Sequence, residues 1–508
     1  MIDMETLPEL RLLAAGEPAL VDAHGQWSRQ VLRDEVRSLA ERFRSMGVKV
    51  VATLMDNGPA WVVADLALVA AGVVHIPMPT FFTWAQIAHA LNAAGVDALL
   101  TTPALGTRWN GLPESIFPIA GTEMTLLQLP AVPVGMPADS AKVTFTSGST
   151  GDPKGVCLSA ASMRAVASGL RQVMEPLDIR RHLCALPFAV LLENIAGLMA
   201  PLGQGASCIV LPLEQVGLRG SSSFDVAVFH AAVLQYQPNS TILLPQMLRA
   251  WAAYLGMTGQ RAPDCLRFVA VGGAAVGSKL LQAARSVGIP AYEGYGLSEG
   301  ASVQTLNLPG ADKPGSAGRP LPHARLRVSE AGEIEVSGSL CSGYLGMPDQ
   351  PANVRPAWLA TGDIGRLDAD GFLHIEGRRK HLLITAFGRN VSPEWVETAL
   401  RSENSILQCV VFGDGQPSLG AVLWPALPDL PDAALQAGVD AANAGLPDYA
   451  QVRHWVRATT AFDVASGMAT ANGRPKRDAI QQAHPDLFAQ RSSLAAESSP
   501  DQNKQTSP

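Results

Sequence analysis

Helical and strand patterns alternate along roughly the first 300 residues, and this alternation limits the fold more than any other feature of the chain. Apolar residues recur at helical spacing in 30–46, 60–71 and 84–94, while short apolar strands occupy 49–55, 73–77 and 98–102. A similar rhythm returns over 225–295. Helices that connect successive strands are typical of parallel, doubly wound sheets. The pattern therefore predicts an α/β fold.

The pattern changes after about residue 310, where short strands at 325–328 and 333–337 lie between glycine and proline turns. This texture is typical of a small β-barrel. The chain has 508 residues, too many for one ordinary core. A basic break at 376–380 separates the barrel from a smaller α+β region with a helix at 393–401 and a strand at 408–412. We predict a large domain at 1–378, a small mobile domain at 379–490 and a disordered polar tail at 491–508.

Composition and charge narrow the class of protein. Hydrophobic residues make up 47% of the chain and charged residues 16%, as in a globular enzyme with much buried surface. The formal net charge is −7 and no dense Lys/Arg run is present, which argues against nucleic acid as a partner. The six cysteines are far apart and form no C-x-x-C pair. This spacing favours reduced thiols in a cytoplasmic protein over a disulfide framework or a zinc site.

The most membrane-like stretch is 66–74, which Asp65 precedes and His75 follows. A spanning helix needs ~20 apolar residues, so this stretch is predicted to be a buried helix that runs into a strand. The acidic N-terminus, with Asp3 and Glu5, is also unlike the basic start of a signal peptide. We expect no transmembrane segment, and peripheral contact with a membrane surface stays open.

A run of small and polar residues follows the strand-like segment 143–145. It contains three glycines, four hydroxyl side chains and one lysine. Glycine lets backbone N–H groups approach a ligand closely, and the hydroxyls and the lysine add donors and positive charge, so the run is suited to a polyphosphate. The Walker spacing fails, because Pro153 stands where the second glycine belongs. A solvated turn is the alternative. The residues are Thr146, Ser147, Gly148, Ser149, Thr150, Gly151, Asp152, Pro153, Lys154 and Gly155.

The complete order of this run resembles the phosphate loop of the adenylate-forming superfamily, which contains acyl-CoA synthetases, peptide-synthetase adenylation domains and firefly-type luciferases. The resemblance extends over about residues 10–485. It implies that the loop binds the phosphates of ATP and that Lys154 is catalytic. It also implies that 1–378 is an AMP-binding domain and that 379–490 is the adenylation lid domain.

A second motif, at 294–299, places an aromatic residue beside glycines and a glutamate four residues later. Tyr295 can stack on a base, and the Glu299 carboxylate suits magnesium. The resemblance assigns these two roles, with Ser298 in place of the family's threonine, and it adds Gly272 as an acyl-pocket candidate. The alternative is a strand-end turn. Further nucleotide-pocket candidates are Gly273, Ala274, Ala275, Gly294 and Gly296.

Two later motifs complete the resemblance. Asp363, within Thr-Gly-Asp, can accept hydrogen bonds from both ribose hydroxyls. Arg378 is matched to a nucleotide contact and Lys380 to the pivot between the domains. Without the family, a turn and a solvated basic face would explain these residues.

The chain departs from the family pattern at two positions. Val190 stands where the long-chain acyl-CoA synthetases have a histidine, which suits an aliphatic acid. Arg474 stands where the family has its adenylation lysine, with Lys476 two residues on. Arginine keeps the charge but not the compact ammonium, so either residue is a candidate for that role.

The resemblance implies an AMP-forming ligase that takes ATP, Mg²⁺ and coenzyme A. A carboxylic acid, with a fatty acid favoured, is adenylated with release of pyrophosphate, and a thiol then displaces AMP. The thiol is coenzyme A or the phosphopantetheine of a carrier protein. Two rivals remain: a non-catalytic adenylate-binding homologue, favoured by Arg474, and a hydrolase whose nucleophile is Ser298 in Gly-x-Ser-x-Gly.

Overall fold

A computed structural model of the chain describes residues 18–146, 154–220, 223–347, 357–387, 389–470 and 474–488. The chain divides into two compact units, Met1–Ile375 and Glu376–Pro508, and each is described by itself. The domain boundary predicted at residue 378 stays a prediction. The predicted tail at 491–508 lies outside the described residues.

The helices are numbered along the chain. The α-helices are α1 (Arg29–Met46), α2 (Pro59–Ala71), α3 (Trp84–Ala93), α4 (Pro103–Gly106), α5 (Ala160–Met174), α6 (Ala200–Gln204), α7 (Val226–Tyr236), α8 (Pro245–Thr258), α9 (Ser278–Ser286), α10 (Pro393–Arg401), α11 (Asp432–Asn443) and α12 (Arg477–Ala483). A π-helical segment, Leu192–Met199, leads into α6. The 3₁₀ turns are Thr107–Trp109, Glu175–Leu177, Leu213–Val216, Ser298–Gly300, Arg379–His381, Asp448–Ala450 and Pro485–Phe488.

The strands are also numbered along the chain. Those of the first half are β1 (Leu20–Val21), β2 (Gln26–Trp27), β3 (Val50–Leu54), β4 (Val74–Met78), β5 (Ala98–Thr101), β6 (Glu114–Ile119), β7 (Thr122–Gln128), β8 (Ser140–Thr146), β9 (Lys154–Ser159), β10 (Arg181–Leu183), β11 (Ser207–Ile209), β12 (Leu218–Arg219), β13 (Ser223–Phe224) and β14 (Ser240–Leu243). Those of the second half are β15 (Phe268–Val271), β16 (Ala291–Leu297), β17 (Ser302–Leu306), β18 (Arg319–Pro320), β19 (Ala324–Val328), β20 (Glu333–Gly338), β21 (Gly343–Tyr344), β22 (Leu359–Leu367), β23 (Leu373–Arg378), β24 (Leu383–Ile384), β25 (Asn390–Val391), β26 (Ile406–Phe412), β27 (Leu419–Pro425) and β28 (Val452–Arg457).

Two large sheets form the framework of the first unit. One has the order β18-β17-β16-β15-β14-β10-β11-β1-β2 and the other β21-β9-β8-β4-β3-β5-β7-β6. Parallel strands, from β16 to β1 and from β8 to β5, form their centres. The parallel, doubly wound centres agree with the predicted fold class, and the edges are antiparallel because short hairpins such as β8–β9 and β16–β17 connect strands without a crossover helix.

The core between these sheets explains the apolar stretch in the sequence. Every residue of α2 from Ala60 to Leu68 is buried, as expected for a helix that is apolar on all sides. Gly72 ends the helix in the left-handed conformation, and β4 then begins at Val74, so the predicted helix that runs into a strand is confirmed. Among the described residues, no helix has both the length and the apolar character to cross a bilayer.

A polar cluster lies buried within this core, and we call it the Asp65 centre. It consists of Asp65 on α2, His75 on β4, Lys142 on β8 and Asn194 on the π-helical segment, all nearly inaccessible to solvent. The Asp65 carboxylate accepts hydrogen bonds from His75 Nδ1 at 2.6 Å and Asn194 Nδ2 at 3.0 Å. Lys142 Nζ pairs with Asp65 Oδ1 at 2.7 Å and donates to Asn194 Oδ1. Each member therefore has a partner within the cluster.

The protonation states in the Asp65 centre follow from these contacts. Burial would raise the pKa of Asp65, but Lys142 and His75 outweigh it and hold the pKa below its usual range. Burial lowers the pKa of His75, against the opposing effect of Asp65, so the ring is neutral. Because a carboxylate accepts, His75 donates through Nδ1, and its Nε2 accepts from the Thr53 hydroxyl at 2.8 Å. The cluster holds one ion pair and a neutral ring.

The remaining sheets are smaller. The segment expected to form a small barrel contains four strands in the order β19-β20-β22-β23, with antiparallel pairing of β20 to both β19 and β22. In the second unit, α10 and α11 pack on the sheet β26-β27-β28 around a core that includes Val396, Val411 and Leu435. The helix predicted at 393–401 and the strand predicted at 408–412 are confirmed, the strand with two more residues at its start.

Candidate active site

The ends of the predicted phosphate loop are held by the β8–β9 hairpin. Thr146 is the register partner of Lys154, and its hydroxyl lies 3.4 Å from the Lys154 carbonyl oxygen. Lys154 is exposed at the start of β9. The next residue must be glycine, because a Cβ at Gly155 would lie 2.3 Å from Leu345 Cδ1. The loop thus closes a hairpin, whereas a Walker loop leads from a strand into a helix. The predicted residues Ser147, Gly148, Ser149, Thr150 and Gly151 lie outside the described residues.

The sequence predicts that the second motif follows a strand. In the structure its first four residues are themselves the end of a strand, and its last two lie in the turn that follows. Gly294 to Leu297 form the end of β16, which pairs with β17 and carries a bulge between Tyr295 and Gly296. A Cβ at Gly296 would lie 2.0 Å from the Ser302 carbonyl oxygen, and one at Gly294 would lie 3.0 Å from that of Thr305. The close approach of β17 therefore requires glycine at 296 and leaves little room for a side chain at 294, whatever ligand Tyr295 meets.

Two of the predicted nucleotide residues meet directly. The Tyr295 hydroxyl donates to Asp363 Oδ2 at 2.5 Å, although the two motifs are far apart in the sequence. Asp363 lies on β22 and is buried. Its backbone N–H donates to the Thr361 hydroxyl oxygen at 3.0 Å, and that hydroxyl donates to the Ile334 carbonyl at 2.8 Å. The carboxylate is therefore held in a fixed position beside the tyrosine.

Glu299 lies in the 3₁₀ turn Ser298–Gly300 that connects β16 to β17. The hydroxyl of Tyr344 donates to Glu299 Oε1 at 3.2 Å, and burial, followed by the Glu299 charge, raises the pKa of this tyrosine. Tyr344 also pairs in β21 with Val156 of β9, so it connects Glu299 to the strand that begins at Lys154. Sequence reasoning missed Tyr344, because an isolated tyrosine in a glycine-rich segment gives no signal.

The donor chemistry at Glu299 fits a magnesium ion. The carboxylate is half-buried and supplies oxygen ligands, which Mg²⁺ prefers. The hydrolase interpretation fits less well. A nucleophile elbow turns from a strand into a helix, whereas the turn that begins at Ser298 leads into another strand at Ser302.

The small residues after β15 lie next to this motif. Gly273 has a φ of 85°, in the left-handed region that favours glycine, and Ala274 and Ala275 are exposed. A Cβ at Gly272 would lie 3.4 Å from the Gly294 carbonyl oxygen and 3.9 Å from Leu192 Cδ2. Gly272, at the start of this segment, is therefore buried close to the tyrosine motif, whereas the three residues that follow it are exposed.

Glu293 is a further site residue that the sequence interpretation missed. It precedes Gly294, is buried, and accepts a hydrogen bond from the backbone N–H of Val276 at 3.0 Å. Burial, partly opposed by this bond, raises the pKa of Glu293 to about 7. Its acidic side chain in a β-strand gave no signal of burial. It anchors the segment after β15 to the strand that carries Tyr295.

Val190 lies just before the π-helical segment. Its side chain is 37% exposed, and its N–H donates to the Pro187 carbonyl at 2.9 Å. Its carbonyl accepts a hydrogen bond from the N–H of Asn194 at 3.1 Å. The predicted acyl-pocket residue is therefore bonded through its backbone to a member of the Asp65 centre.

The other predicted residues belong to the second unit. Arg378 ends β23 and Lys380 lies in the following 3₁₀ turn, and both are exposed. A Cβ at Gly377 would lie 1.8 Å from Ser392 Oγ, so the start of this segment requires glycine. The hinge motif therefore packs closely on the N-cap residue of α10.

Arg474 and Lys476 lie on a short hairpin before α12, and both side chains are exposed. The backbone of Arg474 bonds Thr470, and the N–H of Lys476 donates to Met468 O at 2.8 Å. Arg477 fixes the hairpin, since it donates to Glu397 Oε1 at 2.6 Å and to Val411 O at 2.9 Å. Arg474 and Lys476 thus project from one anchored segment, while their neighbours 471–473 lie outside the described residues.

Comparisons with known proteins define the class. The model of the AMP-binding enzyme family matches residues 13–346, and that of the AMP-binding enzyme C-terminal domain matches 380–488. The chain therefore belongs to the AMP-binding enzyme family. The predicted fold class and the predicted AMP-forming acid–thiol ligase, an acyl-CoA synthetase, are confirmed.

Particular relatives differ in their acids. A 2-succinylbenzoate–CoA ligase from Geobacillus sp. (strain WCH70) is 29% identical and aligns with 80% of this chain and 82% of its own. A feruloyl-CoA synthase from Amycolatopsis sp. is 30% identical over 78% and 82%. The long-chain-fatty-acid–CoA ligase FadD15 from Mycobacterium bovis (strain ATCC BAA-935 / AF2122/97) is 26% identical over 77% and 76%. The structure of o-succinylbenzoate CoA synthetase from Bacillus subtilis with its acyl-adenylate shares the fold, with a TM-score of 0.74 and 23% identity over 94% and 97% of the chains.

Proposed function

We propose that this enzyme uses ATP to convert a carboxylic acid with an apolar body into an acyl-adenylate and then transfers the acyl group to coenzyme A. In the first step a carboxylate oxygen attacks the α-phosphorus and pyrophosphate leaves. In the second step the thiol of coenzyme A attacks the acyl carbon and AMP leaves. Charge develops on phosphate and carbonyl oxygens, so the protein acts mainly by electrostatic stabilisation and positioning.

The contact between Tyr295 and Asp363 carries this proposal. An aromatic ring and a carboxylate at hydrogen-bond distance can hold a nucleoside, the ring against the base and the carboxylate on the ribose hydroxyls. Gly273, Ala274 and Ala275 leave room for the base, since their side chains are absent or small.

The phosphates are assigned to the loop after β8. Lys154 and the Thr146 hydroxyl would contact them, together with the predicted loop residues. Glu299 would hold magnesium, which supplies charge neutralisation at the phosphates when bound. Tyr344 would orient the Glu299 carboxylate through its hydroxyl. In the second unit, Arg474 or Lys476 would supply the cation that completes adenylation, Arg378 would contact the nucleotide and Lys380 would be the pivot.

Two classes of acid are proposed as substrates. Val190 in place of histidine favours an uncharged acyl body, as in a fatty acid. The names of the relatives that act on succinylbenzoate and ferulate favour an aromatic acid. The name of the long-chain-fatty-acid–CoA ligase among the relatives favours the fatty-acid class.

A pyrophosphate-release assay tests the function. The purified chain is given ATP, Mg²⁺ and acids from acetate to palmitate, with 2-succinylbenzoate and ferulate included, with and without coenzyme A. We expect pyrophosphate with a subset of the acids, and AMP and the acyl thioester when coenzyme A is added. A chain that binds ATP but releases no pyrophosphate with any acid would be the non-catalytic homologue. Thioester formation on a carrier protein but not on coenzyme A would change the acceptor.

Two variants test the residues. Asp363→Asn is expected to raise the KM for ATP by ~10-fold or more, because an amide replaces the acceptor for both ribose hydroxyls. Arg474→Ala and Lys476→Ala separate the two candidate cations, and loss of the one that acts is expected to lower adenylation by ~10²–10³-fold. If both variants adenylate at the wild-type rate, neither residue has this role.

A further inference from the structure

A second polar cluster lies buried on the nine-stranded sheet, and we call it the Glu193 centre. His182 lies in β10, and Cys184 is the residue directly after this strand. Because the two are two positions apart in extended chain, their side chains face the same side of the sheet. Cys208 on the parallel neighbour β11 is the register partner of His182. Glu193, on the π-helical segment, lies above them. His182 is 3% exposed and the other three are fully buried.

The polar atoms of this centre converge on one point. One ring nitrogen of His182, Cys184 Sγ and a Glu193 carboxylate oxygen all lie within 4.8 Å of one another. His182 Nδ1 bonds the Ser240 hydroxyl at 2.8 Å, which leaves Nε2 facing the carboxylate at 3.5 Å from Glu193 Oε1. A second hydrogen bond that fixes the ring in this way is typical of histidines that bind metals.

The centre lacks the partners that buried polar groups require. Among the described residues, His182 Nε2 and both carboxylate oxygens of Glu193 have no partner at hydrogen-bond geometry, and the 3.5 Å approach of His182 Nε2 to Glu193 Oε1 does not supply one. A buried polar group without a partner is unfavourable by about 1–3 kcal/mol, and a buried charge by more. The site is therefore stable with protons on these groups or with a cation among them.

The backbone around the centre is shaped to admit the carboxylate. A Cβ at Gly197 would lie 2.4 Å from Glu193 Oε1 and 3.0 Å from His182 Nε2, so the point where the groups meet depends on a glycine. Both thiols point to the carbonyl oxygen of Gly197, Cys184 at 3.5 Å and Cys208 at 3.8 Å. The helix is π-type here, and such wide turns are frequent at functional sites.

We propose that His182, Cys184 and Glu193 bind one Zn²⁺ ion, with Cys208 as the fourth ligand. Imidazole nitrogen, thiolate sulfur and carboxylate oxygen are the ligands of zinc in proteins, and a site closed by four side chains is structural and not catalytic. Binding releases the proton of each thiol, and that of the carboxyl where it is protonated, to solvent. Ligand atoms around tetrahedral zinc lie roughly 3.5 Å apart. His182 Nε2 and Glu193 Oε1 already have this separation.

This site is separate from the magnesium proposed at Glu299. Zinc would fasten the π-helical segment, through Glu193, to β10 and β11. The spacing of the cysteines had argued against zinc, since a C-x-x-C pair is absent. Parallel neighbouring strands bring Cys184 and Cys208 to the same point without any such pair. The expected role of the zinc ion is to stabilise the π-helical segment.

Metal analysis of the full-length protein tests the proposal. The chain is stripped with a chelator, loaded with Zn²⁺ or Co²⁺, desalted, and analysed for metal content by mass spectrometry. We expect about one ion per chain, and for Co²⁺ a thiolate-to-cobalt charge-transfer absorption with the intense visible bands of tetrahedral coordination. No retained ion, or cobalt without thiolate absorption, overturns the proposal.

Variants locate the ion. Glu193→Gln and Cys184→Ser are expected to lower retained zinc at least ~10-fold, because each removes a ligand. Cys265→Ser, a half-buried cysteine outside the centre, is the matched control and should retain zinc as the wild type does. Zinc retained in full by both ligand variants overturns the site. Since Gln is nearly isosteric with Glu, Glu193→Gln is expected to fold, which circular dichroism and ATP binding verify.

Discussion

Glu193 and Asn194 are neighbours on one helix, yet they belong to two buried centres with opposite character. Asn194 reaches the Asp65 centre, where three side chains contact one carboxylate. One of the three, Lys142, balances the negative charge. Glu193 reaches a centre in which its carboxylate finds no hydrogen-bond partner among the described residues. The pKa of Asp65 is lowered and that of Glu193 is raised, although both are fully buried. Partners, and not burial, decide whether a buried carboxylate stays charged.

Glu293 is a third buried carboxylate of the first unit. It has one described donor, the Val276 N–H, and its pKa is raised to about 7. With three donors, one of them a cation, the charge is favoured, and with one donor the proton is held up to neutral pH. The following experiments are designed to break this contrast between the buried carboxylates.

The largest effect is expected when the cation of the Asp65 centre is removed. Lys142→Met leaves a buried carboxylate without its balancing charge, which should lower the free energy of unfolding by about 3–5 kcal/mol. Urea denaturation measures the change in the free energy of unfolding. The fluorescence of Trp61 reports on unfolding next to the Asp65 centre, since the centroid of its ring lies 5.9 Å from Lys142 Nζ.

Two controls separate charge from packing. Asp65→Asn combined with Lys142→Met removes both charges and should recover much of the loss, since a neutral pair needs no balancing ion. Arg37→Met breaks an exposed pair with Asp34 and should change the stability by less than about 1 kcal/mol. If the double variant is as unstable as Lys142→Met, packing and not charge explains the effect.

The next effect concerns Glu293 and pH. The unfolded chain loses this proton near 4.5, whereas the folded chain holds it to about 7. The folded state therefore binds more protons in this interval, and its stability falls as the pH rises through it. The decrease is up to roughly 3 kcal/mol at pH above 7. The free energy of unfolding is measured from pH 4 to 8 for the wild type and for Glu293→Gln. The difference between the two at each pH isolates the contribution of the Glu293 proton to stability. A flat difference would remove Glu293 from this contrast.

Sequence patterns predicted the fold more fully than these centres. Amphipathic helices, short apolar strands and glycine-rich turns depend on local spacing, so α1 to α3 and β3 to β5 lie within a few residues of their predicted ranges. Asp65 and His75 were interpreted as the polar ends of an apolar stretch, because a pattern shows polarity but not depth. The structure bonds them to each other in the core.

The site was predictable where chemistry resides in a short motif and unpredictable where it depends on tertiary contacts. Tyr295 and Asp363 were both named from their motifs, but their hydrogen bond depends on the approach of β22 to β16. The glycines at 294 and 296 are predicted nucleotide-pocket residues, and the structure adds a second reason for a glycine at 296, the close approach of β17. Tyr344 and Glu293 belong to no motif and were missed.

Asn194→Leu should have a smaller effect than Lys142→Met, because it removes one donor from Asp65 and one acceptor from Lys142 but leaves their ion pair. We expect a loss of about 2–3 kcal/mol in the free energy of unfolding. The same urea titration measures it. Asn194→Ser, which keeps a hydroxyl donor, is the matched control and should lose less unless the shorter side chain fails to reach. A loss below about 0.5 kcal/mol would mean that Asp65 is satisfied without Asn194.

Glu193→Gln should have the smallest effect of the series when no metal is present. The substitution replaces a carboxyl that lacks partners by a neutral amide of the same shape, so after chelator treatment the stability should change by less than about 1 kcal/mol or increase. The comparison with Asn194→Leu is direct, since the two residues are adjacent on one buried segment. With Zn²⁺ added, the wild type should gain stability and Glu193→Gln should not, because only a ligand set with the carboxylate retains the ion. A metal-free loss as large as that of Asn194→Leu would show that Glu193 has a protein partner after all, and the contrast between the two centres would then be one of degree.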